Sequence, residues 1–308
     1  MYRIEKQLTS IENRIRNASY SEEDKDILME YEDHLFARGV GIYRVVKLLG
    51  LLNLIASDWD VSFNAATKKD VISLICKIER KGYAVSTKND YKQCIKSFYK
   101  WYYNEDKPAI VEWLMTQPAR TSSVQRDDLL THDEIIAMLD AATSIRDKAI
   151  ISVLVESGAR IGEIGSLCIK NVCFDEYTAT ISVHGNRGIR EIRLLDSVSA
   201  LSQWMEIHPQ KHNKNAPLWV NTGTKNHGQE MNYGSFYMMI KRTAKNAGIS
   251  KNVHPHLFRQ TRSIELSKHF TDAGMNAHFG WVPNSNMPRA YVHLNAKDIE
   301  QAMLAYMD

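Results

Sequence analysis

Long apolar runs are scarce in this sequence of 308 residues. The most apolar stretch, residues 45–56, is interrupted by Lys47 and Asn53 and is shorter than the ~20 residues that a bilayer requires. The first ten residues carry charge from the third position onwards and have no apolar core, which is unlike a secretory signal. We therefore expect a cytoplasmic chain without a membrane span.

Cysteine is also scarce, with four residues at positions 76, 94, 168 and 173. No two of them form a CxxC pair, and the spacing between Cys168 and Cys173 exceeds that of the usual zinc knuckle. This pattern excludes a disulfide scaffold and argues against a structural zinc site. We expect reduced thiols that are largely buried in the core.

Proline is absent from the first 107 residues, and the first of the seven prolines is Pro108. Apolar residues in this half recur at helical spacing, and Ser21 and Thr67 stand where helix N-caps are expected. A chain of this length predicts about two domains. We expect a helical domain at residues 1–105, a linker at 106–128 with a short helix at 111–115, and a second domain at 129–308.

The second half contains strand-like alternation at residues 177–183 and 191–195. The segment Gly185–Gly188 between them has the glycines of a hairpin turn. A capping-box pattern at Thr131 opens a helix, and helices resume from Ser197. The sequence therefore predicts a mainly α fold with a small antiparallel β-sheet.

The net charge is only +3, because 39 Lys and Arg residues face 36 Asp and Glu residues. This charge is unevenly distributed, since residues 77–100 hold seven basic and two acidic residues, a net of +5. Four lysines there recur every fourth residue as one stripe on a helix, with no matching acidic stripe. The stripe is either a solvated face or a surface that neutralises nucleic-acid phosphates. It comprises Lys88, Lys92, Lys96 and Lys100.

Two residue pairs suggest phosphate chemistry. Arg160 and Glu163 stand three residues apart, so they are neighbours on one helix surface. His256 and Arg259 have the same spacing and follow Pro255, a typical first residue of a helix. Two guanidinium groups from different helices can grip the non-bridging oxygens of a phosphodiester and stabilise the charge that develops on them.

Tyr291 is a candidate nucleophile, because a phenol can form a covalent intermediate with phosphorus. Its ordinary pKa of about 10 requires an electropositive setting or a nearby base such as His256. In their order and spacing, these segments resemble the tyrosine recombinase (phage integrase) family and its archaeal integrase-like branch. The match comprises Ala159-Arg160-Ile-Gly-Glu163, His256-Leu-Phe-Arg259, Trp281 in the position of a His or Trp, and Tyr291 in the position of the nucleophile.

The resemblance implies a SAM-like helical core-binding domain followed by an α+β catalytic domain. It implies a site-specific DNA recombinase or integrase that cleaves and rejoins DNA through a 3′-phosphotyrosine intermediate, without metal or ATP. By the same resemblance, Arg160 and Arg259 hold the scissile phosphate, with Glu163 supporting them. His256 assists proton transfer, and Trp281 packs beside the phosphate or hydrogen-bonds to it.

The resemblance also implies partners. These are double-stranded DNA with a specific recombination site, and further copies of the chain in a tetramer on that DNA. The last helix, at residues 297–306, is expected to dock on a neighbouring protomer. We expect a nucleoid-associated protein in the cytoplasm.

One position departs from the family pattern. The family has a hairpin lysine that protonates the departing 5′ oxygen, and the corresponding residue here is Asn186. Asparagine cannot supply a proton, and Arg187 or Arg190 would be a poor acid, because a guanidinium keeps its proton far above neutral pH. A smaller departure is Gln260, where the family often has a second histidine.

Three alternatives stay open. The first is the same chemistry in an Xer-like resolvase or a type IB topoisomerase-like strand transferase. The second is a catalytically weak or silent DNA-binding member of the family, which Asn186 makes plausible. The third is a metal-dependent phosphodiesterase, although no metal-ligand spacing accompanies its candidate ligands. Those ligands are His254, His256, His278 and His293.

Overall fold

The structure is a computed structural model that describes residues 2–117, 126–185 and 188–282. The chain forms two compact units, Met1–Thr121 and Ser122–Asp308. No helix in the described ranges is both long and apolar enough to cross a bilayer.

The described part of the first unit is helical, as the sequence predicts. Its helices are α1 (Tyr2–Arg16), α2 (Glu22–Ala37), α3 (Ile42–Asp58), α4 (Lys68–Arg80) and α5 (Val85–Tyr102). Ser21 caps α2 and Thr67 opens α4 with a capping box, because each side chain accepts the backbone N–H three residues later. An aromatic cluster that includes Tyr31, Phe63 and Phe98 fills the core between these helices.

The predicted linker begins too early in the sequence. Ile110, Val111 and Leu114 are buried in the core of the first unit, so the segment up to residue 117 belongs to that unit. The helix expected at 111–115 is absent, because the backbone forms turns in which the Pro108 carbonyl accepts both Val111 N–H and Glu112 N–H. The apolar side chains of this proline-containing segment therefore pack in the core of the first unit and do not form a linker.

The second unit combines helices with a small sheet, which confirms the predicted fold class. Within the described residues of this unit, three strands pair antiparallel in the order β1-β2-β3. The predicted hairpin is present as β2 and β3, with Gly185 opposite Gly188. The short strand β1 was not predicted from the sequence. The elements are α6 (His132–Asp140), α7 (Ile145–Ser157), α8 (Ile161–Gly165), β1 (Val172–Phe174), β2 (Ala179–Gly185), β3 (Gly188–Leu194), α9 (Val198–Glu206), α10 (Tyr233–Asn246), α11 (Pro255–Leu266) and α12 (Asp272–Phe279).

Side chains of the hairpin alternate between the core and solvent. Ile181 and Val183 of β2 are buried, as are Ile192 and Leu194 of β3. Arg190 continues the inward series of β3, because it is paired with Val183 across the hairpin. A charged side chain on an otherwise apolar inner face needs a buried partner.

The cysteines differ in part from the prediction. All four are free thiols, as expected, but Cys76 and Cys173 are exposed. Cys94 is buried, and its thiol donates to the Leu48 carbonyl. The expectation of largely buried thiols is therefore wrong for half of them.

Candidate active site

Arg160 is the N-cap residue of the short helix α8. The carboxylate of Glu163 accepts the Arg160 backbone N–H at 2.8 Å and the Arg160 Nη1 at 3.0 Å. The side chain of Arg160 remains 44% exposed, whereas that of Glu163 is only 5% exposed. The buried carboxylate of Glu163 thus fixes the orientation of the exposed Arg160 guanidinium.

Arg190 completes the environment of Glu163. Its Nη1 and Nη2 donate to the two Glu163 carboxylate oxygens at 2.9 and 2.8 Å, a bidentate pair. Burial by itself raises the pKa of Glu163, but hydrogen bonds from Arg190 and Arg160 outweigh it and hold the pKa below its ordinary value. Glu163 is therefore ionised near neutral pH.

Arg190 also reaches helix α12, because its Nε donates to the His278 carbonyl at 2.8 Å. All three guanidinium nitrogens are thus engaged by protein groups. This geometry argues against Arg190 as a substitute acid at the hairpin. Sequence reasoning missed its structural role, although its inward position on β3 was a readable signal.

Two glycines leave room for this arginine. A Cβ at Gly185 would lie 2.8 Å from Glu163 Oε1 and 3.1 Å from Arg190 Nη1. A Cβ at Gly280 would lie 3.0 Å from Arg190 Nη1, and Gly280 has a positive φ of +63° that favours glycine. The hairpin end and the end of α12 therefore approach the arginine closely.

Arg259 is held by main-chain carbonyls. It lies in α11, which starts with Pro255 at the first helical position as predicted. Its Nη1 donates to the Gly158 carbonyl at 3.1 Å, and its Nη2 donates to the Phe279 carbonyl at 2.8 Å. Arg259 is only 2% exposed. These bonds fix the plane of a guanidinium that would otherwise be mobile.

Trp281 lies against the same guanidinium. The Arg259 Cζ is 5.6 Å from the Trp281 ring centroid and 4.9 Å from that of Phe279. The two rings stack with centroids 4.8 Å apart. Trp281 thus packs on the guanidinium of one of the two arginines, and its predicted contact with a phosphate stays a prediction.

A cavity of about 420 Å³ brings the motif residues together. Arg160 and Glu163 line it from the start of α8, and His256 and Arg259 line it from α11. The pKa of His256 lies below its ordinary value, because burial reduces its hydration and because Arg259, His254 and Arg160 repel a positive charge. The remaining lining residues are Ala159, Ile161, Gly162, His184, Gly185, Tyr233 and Pro255.

Several predicted residues lie outside the described residues. These are Asn186 and Arg187 at the hairpin turn, Tyr291, His293 and the expected docking helix at 297–306. Of the other candidate metal ligands, His278 donates from Nε2 to the Ser157 carbonyl at 2.9 Å. Burial lowers the pKa of His278, which favours the neutral ring.

The lysine stripe on α5 differs from the expected surface. Lys88 and Lys92 both pair with Glu79 of α4, at 3.3 and 2.6 Å, and Lys92 is buried. Lys96 donates to the Leu114 carbonyl at 2.9 Å, and Lys100 is exposed. The sequence predicts no acidic stripe beside these lysines, and the acidic partner that the structure adds is a single residue, Glu79. One carboxylate on the neighbouring helix serves two of its lysines.

Comparison with known proteins places these features in a family. A model described as the phage integrase family matches residues 128–298. Tyrosine recombinase XerA of Pyrococcus horikoshii is 22% identical over 280 residues, which cover 91% of this chain and 93% of that protein. Tyrosine recombinase XerC of Alcanivorax borkumensis is 24% identical over 256 residues, 79% of each chain.

Solved structures share the fold. The XerH site-specific recombinase bound to its palindromic difH substrate superposes with a TM-score of 0.66 at 17% identity, covering 97% of this chain and 94% of that one. Lambda integrase bound to DNA gives a TM-score of 0.66 at 14% identity, covering 85% and 92%. Because the family model matches more than half of the residues, the chain belongs to the phage integrase family.

Proposed function

We propose that this chain is a site-specific DNA recombinase that cleaves and rejoins DNA through a 3′-phosphotyrosine intermediate. The observation that carries the proposal is that Arg160, His256 and Arg259 line one cavity. The ionised Glu163 carboxylate accepts a hydrogen bond from Arg160 there. The tyrosine recombinases among its relatives support the same reaction class.

The two arginines are suited to a phosphodiester for different reasons. Arg160 is partly exposed and presents a guanidinium that Glu163 holds in one direction. Arg259 is buried and is oriented by two carbonyls. As phosphorus becomes pentacoordinate, negative charge grows on its non-bridging oxygens, and donors fixed in advance stabilise that charge without reorganising.

His256 is suited to accept a proton. Its lowered pKa keeps the imidazole neutral at neutral pH, which is the form that removes a proton from an attacking phenol. We assign the attacking phenol to Tyr291 from the sequence motif, and we assign Trp281 to packing on Arg259. The energy of the broken phosphodiester is retained in the phosphotyrosine bond, so the reaction as written needs neither a metal ion nor ATP.

The proposed partner is double-stranded DNA with a specific recombination site, and we propose a nucleoid-associated protein. Exchange of two strand pairs requires four active sites, so the proposal includes a tetramer on DNA. We propose residues 297–306 as its docking helix, from the apolar spacing of Ile299, Met303 and Tyr306.

The test is covalent trapping on DNA. A duplex is selected from a random library by binding to the full chain. It is then rebuilt with a nick beside each candidate cleavage position, so that cleavage releases a short fragment and religation cannot occur. We expect a protein–DNA adduct on a denaturing gel in the presence of EDTA. The adduct should vanish in Tyr291→Phe and persist in Tyr177→Phe, a control at an exposed tyrosine.

Other outcomes select other functions. Stable binding without an adduct indicates a silent DNA-binding member of the family. An adduct that EDTA abolishes contradicts the metal-free reaction, and an adduct that Tyr291→Phe retains contradicts the assigned nucleophile.

A further inference from the structure

Strand cleavage of the proposed kind has two separate proton transfers. The attacking phenol loses a proton, and the departing 5′ oxygen gains one, because an alkoxide is a poor leaving group near neutral pH. His256 accounts for the first transfer, but Asn186 at the hairpin turn cannot account for the second. Arg190 is excluded by its bonds to Glu163 and to the His278 carbonyl.

The hairpin contributes another titratable residue to the lining of the cavity. His184 of β2 lines it together with Arg160, His256 and Arg259. The neighbouring Gly185 packs on Glu163 at the cavity floor, whereas His184 is exposed. An exposed position is the one that DNA can reach, because a DNA backbone enters the cavity from solvent.

The edge of β2 is open at this position. Strand β1 pairs with β2 only as far as Ile181, so within the described ranges no strand covers that edge from Ser182 onwards. The imidazole of His184 forms no hydrogen bond or ion pair with the described residues, in contrast to His278, which is engaged by Ser157. Among the described residues, no hydrogen-bond or ion-pair partner occupies either ring nitrogen of His184.

The other ionisable side chains of the cavity are less suited to donate a proton to the departing 5′ oxygen. Glu163 is ionised and accepts hydrogen bonds from both Arg160 and Arg190. His256 is held neutral by its surroundings. A guanidinium does not release its proton at physiological pH. His184 enters the cavity from strand β2, a different element than helix α11, which carries His256.

We propose that His184 is the proton donor to the departing 5′ oxygen, a proposal that rests on the proposed function. The bond between the tyrosine oxygen and phosphorus forms while the bond between phosphorus and the 5′ oxygen breaks. The phenol proton passes to neutral His256, and a proton from the His184 imidazolium passes to the 5′ oxygen, which leaves as a hydroxyl. Rejoining reverses both transfers, with His184 as base and His256 as acid.

The test compares two leaving groups. The selected, nicked duplex is made with an ordinary scissile phosphate and with a sulfur atom in place of the bridging 5′ oxygen. A thiol has a pKa of about 8.5, so the 5′ thiolate leaves without a proton donor. Single-turnover adduct formation is measured for the full-length wild type, for His184→Gln, and for His212→Gln as the same substitution at another exposed histidine.

We expect His184→Gln to slow cleavage of the oxygen ester by about 100-fold, the lower range for a general acid. On the sulfur-substituted duplex it should react within about threefold of wild type, because no acid is needed there. His212→Gln should match wild type on both duplexes. Thermal unfolding of each variant verifies that the fold is unchanged.

Failure of the inference and failure of the proposed function look different. If His184→Gln is slowed equally on both duplexes, or on neither, His184 is not the acid even though cleavage occurs. The inference is also overturned if wild type reacts far faster on the sulfur-substituted duplex, since that shows that no acid operates. If wild type forms no adduct on either duplex, the proposed function itself is wrong.

Discussion

At the scale of single residues, Glu163 is the group on which the candidate site depends most. One carboxylate fixes Arg160 at the cavity and ties the hairpin to α8 through Arg190. Arg190 then connects to the main chain at His278, three residues before Trp281. A buried carboxylate with these partners orients the arginine side chain at the cavity and connects three elements of the second unit.

Removal of Arg190 should therefore be costly to the fold. Arg190→Met leaves the Glu163 carboxylate buried with fewer partners, and we expect a loss of about 3 kcal/mol in the free energy of unfolding. Urea denaturation measures this free energy of unfolding. Arg193→Met is the matched control, because Arg193 pairs with Asp175 where both are exposed, and it should cause no measurable change. Equal effects of the two substitutions would contradict the central role of Glu163.

The lowered pKa of His256 predicts the acid limb of the pH profile. The base acts in its neutral form, so the cleavage rate should be retained as pH falls past the ordinary histidine pKa of about 6.5 and should decline only at lower pH. Single-turnover cleavage is measured with DNA binding checked at each pH. An acid limb centred above 6.5, or one that His256→Gln leaves in place, would contradict this assignment.

At the scale of elements, local signals predicted helix ends and the hairpin well. Thr67, Thr131 and Pro255 each mark a helix start, because capping depends only on residues within one turn. The glycines of the β2–β3 turn were equally readable. The three-residue strand β1 was missed, because its pairing with β2 is a tertiary property with little local pattern.

Contacts between elements were not readable in the same way. The Glu79 carboxylate meets Lys88 and Lys92 across the α4–α5 packing, and a charge count along one helix does not reveal a partner on another. Similarly, Glu163 meets Arg190 only because the hairpin folds over α8. The structure brings Arg160, His256 and Arg259 of the motif to one cavity, but the motif did not reveal the residues that orient them.

The pairing on α5 predicts different roles for its lysines. Lys100 is exposed, so we expect Lys100→Gln to reduce the slope of log Kd for the selected duplex against log salt concentration by about 1. Lys92→Met should leave that slope unchanged and lower thermal stability, because Lys92 is buried against Glu79. Fluorescence anisotropy titrations over a salt series measure the slope for each variant. Thermal unfolding measures the stability of Lys92→Met. A reduced slope in Lys92→Met alone would contradict this division.

At the scale of the whole molecule, a helical unit precedes a unit that holds the family's sequence motif. The family model covers residues 128–298, and so it falls largely in the second unit. The cavity in that unit joins residues that are about 100 positions apart in sequence, from Arg160 to Arg259. Two arginines from distant parts of the sequence that line one cavity support a phosphate-binding site rather than scattered surface charge.

The most direct measurement identifies the residue that becomes attached to DNA. Trapped adduct is digested with nuclease and protease, and the modified peptide is sequenced by mass spectrometry. We expect a single peptide in which Tyr291 carries a 3′-linked nucleotide, with no such peptide in Arg160→Ala or Arg259→Ala. Attachment at any other residue, or undiminished attachment in either arginine variant, would contradict cleavage at this cavity.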